Sequence, residues 1–165
     1  MAKNKKCDED IYEVYWEGPF TVEEIKQDKN NKFWVLYAIY TPHPLYGSNA
    51  LVYIGKAKNG ALIRLKTHSN SWFDQRNIGG EIYVASIAKF DNWGNARDWK
   101  TYTNCLQAGK TKLIQAIESL FIFALQPTYN STNKKSAPMA KGLRVFNTGK
   151  IASIPYEVSA MYHIE

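Results

Sequence analysis

Apolar and polar positions alternate, cluster or recur at helical spacing in successive stretches of this chain. Ile11 to Trp16 predicts a short strand that Gly18-Pro19 should break. Thr21-Val22-Glu23-Glu24 has the Thr-x-x-Glu spacing of a capping box, with Phe20 and Ile25 placed for a hydrophobic staple, so a short helix is expected from Val22 to about Gln27. Val35-Leu36-Tyr37-Ala38-Ile39-Tyr40 and Leu51-Val52-Tyr53-Ile54-Gly55 are β-branched and aromatic, and predict a hairpin. The segment from Pro42 to Asn49 between them holds two prolines, a glycine, a serine and an asparagine, which suits a loop. Ala61 to Ser69 looks helical. Glu81 to Ala88 predicts a third strand, with Ile82, Val84 and Ser86 on one face and Tyr83, Ala85 and Ile87 on the other. Asp91 to Gly94 is a turn, and Ala96 to Asn104 suits either helix or loop. Lys110 to Leu125 is the strongest helix, ended by Pro127, which disfavours helix at the residue before it. The chain turns polar and basic from Ser131 to Lys141, and short-strand-like material follows from Leu143 to Ile164.

One residue breaks this pattern. The Lys110 helix is apolar at 113, 117, 120, 121 and 124, and again at 114, 122 and 125. Those positions cover nearly its whole circumference, so the helix should be buried. Glu118 sits among the second set. A buried charge without a partner is costly. It implies either a divalent metal ligand at the floor of a cleft or an ion pair with Arg64, Lys56 or another base. Arg64 and His68 are four residues apart, and helical residues at that spacing share a face.

Size and charge narrow the setting. A chain of 165 residues with 45% hydrophobic content predicts one compact α/β (α+β) domain. No apolar run reaches the roughly 18 residues that span a bilayer, so no membrane partner is expected. The charged N-terminus lacks an apolar signal core, and the two cysteines, Cys7 and Cys105, form no metal-ligand pair, so a reduced cytoplasm is expected. The formal charge is +6: residues 1–34 contribute −2, residues 35–130 contribute +5 and residues 131–165 contribute +3. A basic excess that starts with the hairpin points to an anionic partner, and nucleic acid is the commonest.

The order and spacing of these residues resemble the GIY-YIG nuclease family. Tyr53-Ile54-Gly55, followed by Lys56, matches the second signature, and Val35-Leu36-Tyr37 stands where the first has Gly-Ile-Tyr. Arg64 and His68 fit the family's Arg-x-x-x-His helix, and Glu118 fits its metal-binding glutamate. Leu120 to Leu125, Pro127 and Asn130 resemble the closing pattern of an apolar helix, a proline and an asparagine. The two tyrosines are 16 apart, so the hairpin carries an insertion, Pro42 to Asn49.

The resemblance implies a fold and a chemistry. The fold would be a small three-stranded antiparallel sheet flanked by helices, with a catalytic core over residues 34–130. Residues 1–33 and 131–165 would be N- and C-terminal embellishments contributing DNA or dimer contacts. The activity would be metal-dependent hydrolysis of DNA phosphodiester bonds, with one Mg²⁺ or Mn²⁺ per active site. Tyr37 would take a proton from water, Tyr53 or His68 would hold that water, and Arg64 would bind the scissile phosphate through its planar fork. Glu118 would hold the ion. Asn130 would position the phosphate or a catalytic residue, and Lys56 would add a cation beside the tyrosines. Arg76, Lys134, Lys135, Lys141, Arg144 and Lys150 are candidates for DNA contacts.

A sequence-specific type II restriction enzyme acting on double-stranded DNA as a homodimer is the leading expectation, because a symmetric dimer suits a palindrome. The alternatives are a repair, mobile-element or phage nuclease, and a non-catalytic nucleic-acid-binding module on the same fold. No phosphate-cradling glycine loop supports an unrelated nucleotide enzyme.

Overall fold

A computed structural model describes residues 10–28, 33–57, 80–97 and 111–160. The elements are β1 (Asp10–Phe20), α1 (Val22–Gln27), β2 (Leu36–His43), β3 (Gly47–Lys56), β4 (Glu81–Lys89), α2 (Thr111–Leu125), a 3-10 turn (Pro138–Ala140), β5 (Leu143–Gly149) and β6 (Glu157–Ser159). All six strands belong to one curled, mixed sheet in the order β3-β2-β4-β1-β5-β6. Only the β1–β5 pair is parallel.

This corrects the expected fold class. The three predicted strands are present and antiparallel, but they form only one half of a larger sheet. The protein is mostly sheet, and α1 and α2 are the α-helices among the described residues. The reason lies in β4, which is buried at every position from Ile82 to Ala88. A strand so covered on both faces is placed inside a sheet, with neighbours on both edges. β1 supplies the second neighbour: it pairs with β4 on one side, Val14 opposite Ile87, and with β5 on the other, Val14 opposite Asn147. The N- and C-terminal segments therefore extend the sheet that the hairpin begins.

The short helix α1 forms as its sequence signals predict. Thr21 Oγ1 accepts from the Glu24 amide at 3.2 Å, and the Glu24 carboxylate accepts from the Thr21 amide at 2.6 Å. Ile25 is fully buried, with Phe20 packed nearby. β1 does not stop at Gly18-Pro19 but runs on to Phe20 with a register shift. The expected loop at Pro42–Asn49 is also shorter than predicted. Both strands continue into it, and only residues 44–46 turn. β4 pairs with β2 only from Leu36 to Tyr40, so β2 is free of β4 beyond that point. Proline is tolerated in a strand at such an edge, which accommodates Pro42.

Two apolar layers cover the sheet. Trp16, Ala38, Tyr40, Ile54 and Ala85 pack with Ile114, Ile117 and Phe121 of α2. On the other face Tyr37, Ile39, Val52, Ile82 and Val84 pack with Ile25 and Trp34. The predicted facing of β4 holds: Ile82 and Val84 lie in one layer, Tyr83, Ala85 and Ile87 in the other.

Burial pushes the Tyr40 phenol up to about 12, and burial also raises Tyr12 and Tyr83. The protonated phenols are thus favoured in the folded state. Below pH 10 this contributes its full stability, and it is lost as pH rises through about 12, because the unfolded chain ionises first. Denaturant midpoints measured from pH 8 to 12 should fall over the upper part of that range, and Tyr40→Phe should flatten the fall.

Candidate active site

Three consecutive residues at the end of β3, Ile54-Gly55-Lys56, are the meeting point for side chains far apart in sequence. Strand pairing sets Tyr37 opposite Gly55 and Ile39 opposite Tyr53. The tyrosine rings stack with centroids 5.9 Å apart and planes 28° apart. Gly55 makes this possible. A Cβ there would lie 2.5 Å from Cζ and Oη of Tyr37 and 2.8 Å from Cε1 of Tyr53. The glycine of the Tyr-Ile-Gly signature is thus the gap that the phenol of Tyr37 fills. Tyr37 is fully buried, whereas Tyr53 is half-buried.

Glu118 reaches the same strand end from the opposite face, through α2. Its Oε1 accepts from the Lys56 amide at 2.9 Å, and its Oε2 accepts from Lys56 Nζ at 2.8 Å. The ion-pair alternative for this anomalous carboxylate is therefore realised with Lys56, whose side chain is 26% exposed against 12% for Glu118. Asn130 completes the set edge-on. Its Oδ1 accepts from the Ile54 amide at 2.9 Å, and its Nδ2 donates to the Ile54 carbonyl at 2.8 Å. The Tyr129 amide donates to the Val52 carbonyl at 2.8 Å. Gln126, at φ +51°, and Pro127 turn the chain out of α2 and onto the flank of β3.

Around three consecutive residues of β3, Tyr37 and Tyr53 thus lie on one face of the sheet, Lys56 and Glu118 on the other, and Asn130 at its edge. Arg64, His68 and Arg76 lie outside the described residues. No family model, curated protein or solved structure matches the chain. The resemblance to GIY-YIG nucleases consequently stands on the residues of this sequence.

Of these residues only Glu118 carries a carboxylate, so it is the one that would hold a hard cation. Each Glu118 oxygen accepts one of the two hydrogen bonds from Lys56, and a carboxylate has about four lone-pair sites. Mg²⁺ is commonly held by one or two carboxylates, with substrate phosphate and water completing its shell. Among the described residues no group of three or more His, Cys, Asp or Glu side chains converges to form an all-protein cage.

The basic candidates are spread out. Lys141 and Lys150 flank opposite ends of β5, roughly 20 Å of strand apart. Lys135, Lys141 and Lys150 are exposed, and Lys134 is half-buried with its carbonyl accepting from the Gln126 side chain. Arg144 pairs with Glu157 at 2.8 Å. Sequence reasoning missed Tyr129 and the role of Gly55 as a packing gap. A glycine interrupting an apolar strand was the available signal for the latter.

Gly55→Ala should destabilise the fold by about 1–3 kcal/mol through overpacking against two rings. Asn130→Asp should cost a similar ~1–3 kcal/mol, because the carboxylate keeps the Ile54 amide but leaves its carbonyl without a donor. Urea midpoints for both variants beside wild type check these values.

Proposed function

We propose that this protein is a metal-dependent DNA endonuclease of the GIY-YIG type, acting on double-stranded DNA. The observation that carries the proposal is the assembly of Tyr37, Tyr53, Lys56, Glu118 and Asn130 around Ile54-Gly55-Lys56. These are the residues that the family resemblance singles out, drawn from four separate parts of the chain. A net charge of +6 favours the polyanionic substrate.

Hydrolysis of a phosphodiester needs an in-line water, relief of phosphate charge and help for the leaving oxygen. Tyr53 is the more open of the two phenols, so it, rather than Tyr37, would meet a water. Tyr37, buried beneath it, fixes its orientation through the ring stack. Glu118 would hold the ion, which supplies Lewis-acid stabilisation of the phosphate when bound. Lys56 brings its positive charge to Glu118, where its ammonium would also face a phosphate oxygen. Asn130 fixes the backbone on which Tyr53 and Lys56 are mounted. Arg64 would grip the scissile phosphate and His68 the attacking water. Sequence-specific restriction, as a homodimer on a palindrome, is the biological role we favour. A repair, mobile-element or phage role uses the same chemistry.

A second reading draws on one specific observation: Lys56 already neutralises Glu118, as in a non-catalytic nucleic-acid-binding module. Cleavage of plasmid and phage DNA with Mg²⁺ and then Mn²⁺, wild type beside Glu118→Gln, separates the two. The nuclease reading expects discrete fragments from wild type and a loss of at least about a hundredfold in the variant, comparable to removal of one transition-state contact. DNA binding without cleavage under either metal would establish the binding module. Tyr53→Phe should abolish cleavage while DNA binding persists. Full activity in that variant would move the proton-accepting role to Tyr37.

A further inference from the structure

The β2–β3 hairpin runs past the rest of the sheet as a two-stranded arm. β4 stops pairing with β2 at Tyr40, whereas β2 and β3 stay paired out to His43 and Gly47. The arm is braced at its base. Asn49 Nδ2 donates to a Glu81 carboxylate oxygen on β4 at 3.1 Å, and Tyr83 Oη donates to the same oxygen at 3.3 Å. The tip is fixed as well. His43 Nδ1 accepts from the Leu45 amide at 3.2 Å, and the His43 ring lies on that of Tyr46, with centroids 4.7 Å apart. Gly47, at φ +93°, closes the turn. What this scaffold holds in water is apolar. Leu45 is 84% exposed, the most exposed large apolar side chain among the described residues, and Tyr46 is 69% exposed.

Charge, continuity and shape narrow the occupant. Residues 33–55 contain no Lys, Arg, Asp or Glu, so the arm itself makes no ion pair with phosphate and sets no carboxylate against it. Glu81, at the base, is engaged by its two donors. The whole chain carries +6, a field that draws in a polyanion rather than a second copy of the free chain. The arm is also the continuation of the strands that carry Tyr37, Tyr53 and Lys56 at their other end. Gly47 and Lys56 lie roughly 30 Å apart along β3, about nine base pairs of B-DNA, so a duplex following the strand passes both. Two-stranded ribbons enter DNA grooves, and leucine is among the apolar side chains that wedge between base pairs from the minor groove.

We propose that the β2–β3 arm enters the minor groove of a bound duplex and inserts Leu45, backed by Tyr46, at a base step, kinking the DNA there. The clamp by His43 and the brace at Asn49 hold the wedge in shape before DNA arrives, so little order is lost on insertion. An uncharged wedge has its own signature. It contributes affinity by burying apolar surface and releases no counterions, unlike a lysine or arginine on a phosphate. The inference rests on the duplex-DNA reading of the protein but not on cleavage.

The test uses end-labelled duplexes of equal length in EDTA, one with central TA steps and one with a G·C-rich centre. End-to-end energy transfer reads bending, and anisotropy across a salt series reads affinity. Wild type should bend the TA duplex more, because pyrimidine–purine steps unstack most readily. Leu45→Ala should remove that difference and weaken TA-duplex binding by about tenfold, in keeping with burial of one leucine side chain, at an unchanged salt slope. Leu45→Met should keep most of the bend. Because Leu45 stands in water, the substitution should leave the melting temperature unchanged. A Leu45→Ala protein that binds and bends like wild type would overturn the wedge. So would a lowered salt slope, which would make the arm a phosphate contact. A change of oligomeric state, or loss of binding to phosphatidylserine vesicles, with DNA bending intact would likewise overturn it, by assigning the tip to a second copy or to a membrane. No binding of either duplex by wild type would refute the duplex-DNA reading and the wedge together. Bending without cleavage in the plasmid assay would retain the wedge and refute the nuclease. Cleavage without bending would do the reverse.

Discussion

Glu118 is the residue on which the arrangement turns. It is a carboxylate on a helix that is otherwise driven into the core by Ile114, Ile117, Phe121 and Ile122. Moving it out of water is unfavourable unless both oxygens find donors. Lys56 provides both, one from its backbone and one from its side chain. Hydrogen bonds to charged groups contribute roughly 1.5–3 kcal/mol each, which offsets the desolvation. The same two bonds tie the middle of α2 to the end of β3. The position of the helix and the end of the hairpin are therefore set together.

The sheet adds a second constraint. Because β2 and β4 are covered on both faces, their side chains have fixed partners on each side, and Tyr37 cannot move without displacing Ile39, Val84 or the α1 layer. The pair of tyrosines is thus held by packing, whereas Glu118 is held by charge. Two independent forces meet at Gly55 and Lys56 from opposite faces. Rigidity of this kind is what a site needs if its groups are to be aligned before a substrate arrives.

Much of this was legible in the sequence, and for physical reasons. The capping box at Thr21 and Glu24 is a local interaction, and it formed where its spacing said. The alternation in β4 and the circumference of α2 report burial directly, and both held. Glu118 stands out because an acid in an apolar helix demands a partner, and Lys56 is one of the bases the sequence offers it. What the sequence concealed was non-local. Whether Ile11 to Trp16 is a peripheral strand or the centre of a sheet depends on β5, more than a hundred residues later. The full apolar run of β4 hinted at two neighbours, yet nothing in it says which strand comes alongside. The hydrogen bonds from the Gly94 and Ala96 amides to the Glu13 carboxylate were hidden for the same reason, since they join residues more than eighty apart.

The hydrogen bonds of Tyr129 and Asn130 to β3 have a consequence of a different kind. β3 is the outermost strand of its half of the sheet, and it is long and largely apolar. An open strand of that sort is a template onto which another chain can add. Asn130 occupies both the amide and the carbonyl of Ile54, and Tyr129 takes the Val52 carbonyl, so the chain seals its own border. An asparagine that pins the strand therefore also guards against self-association. Loss of that seal would show first as clumping during expression.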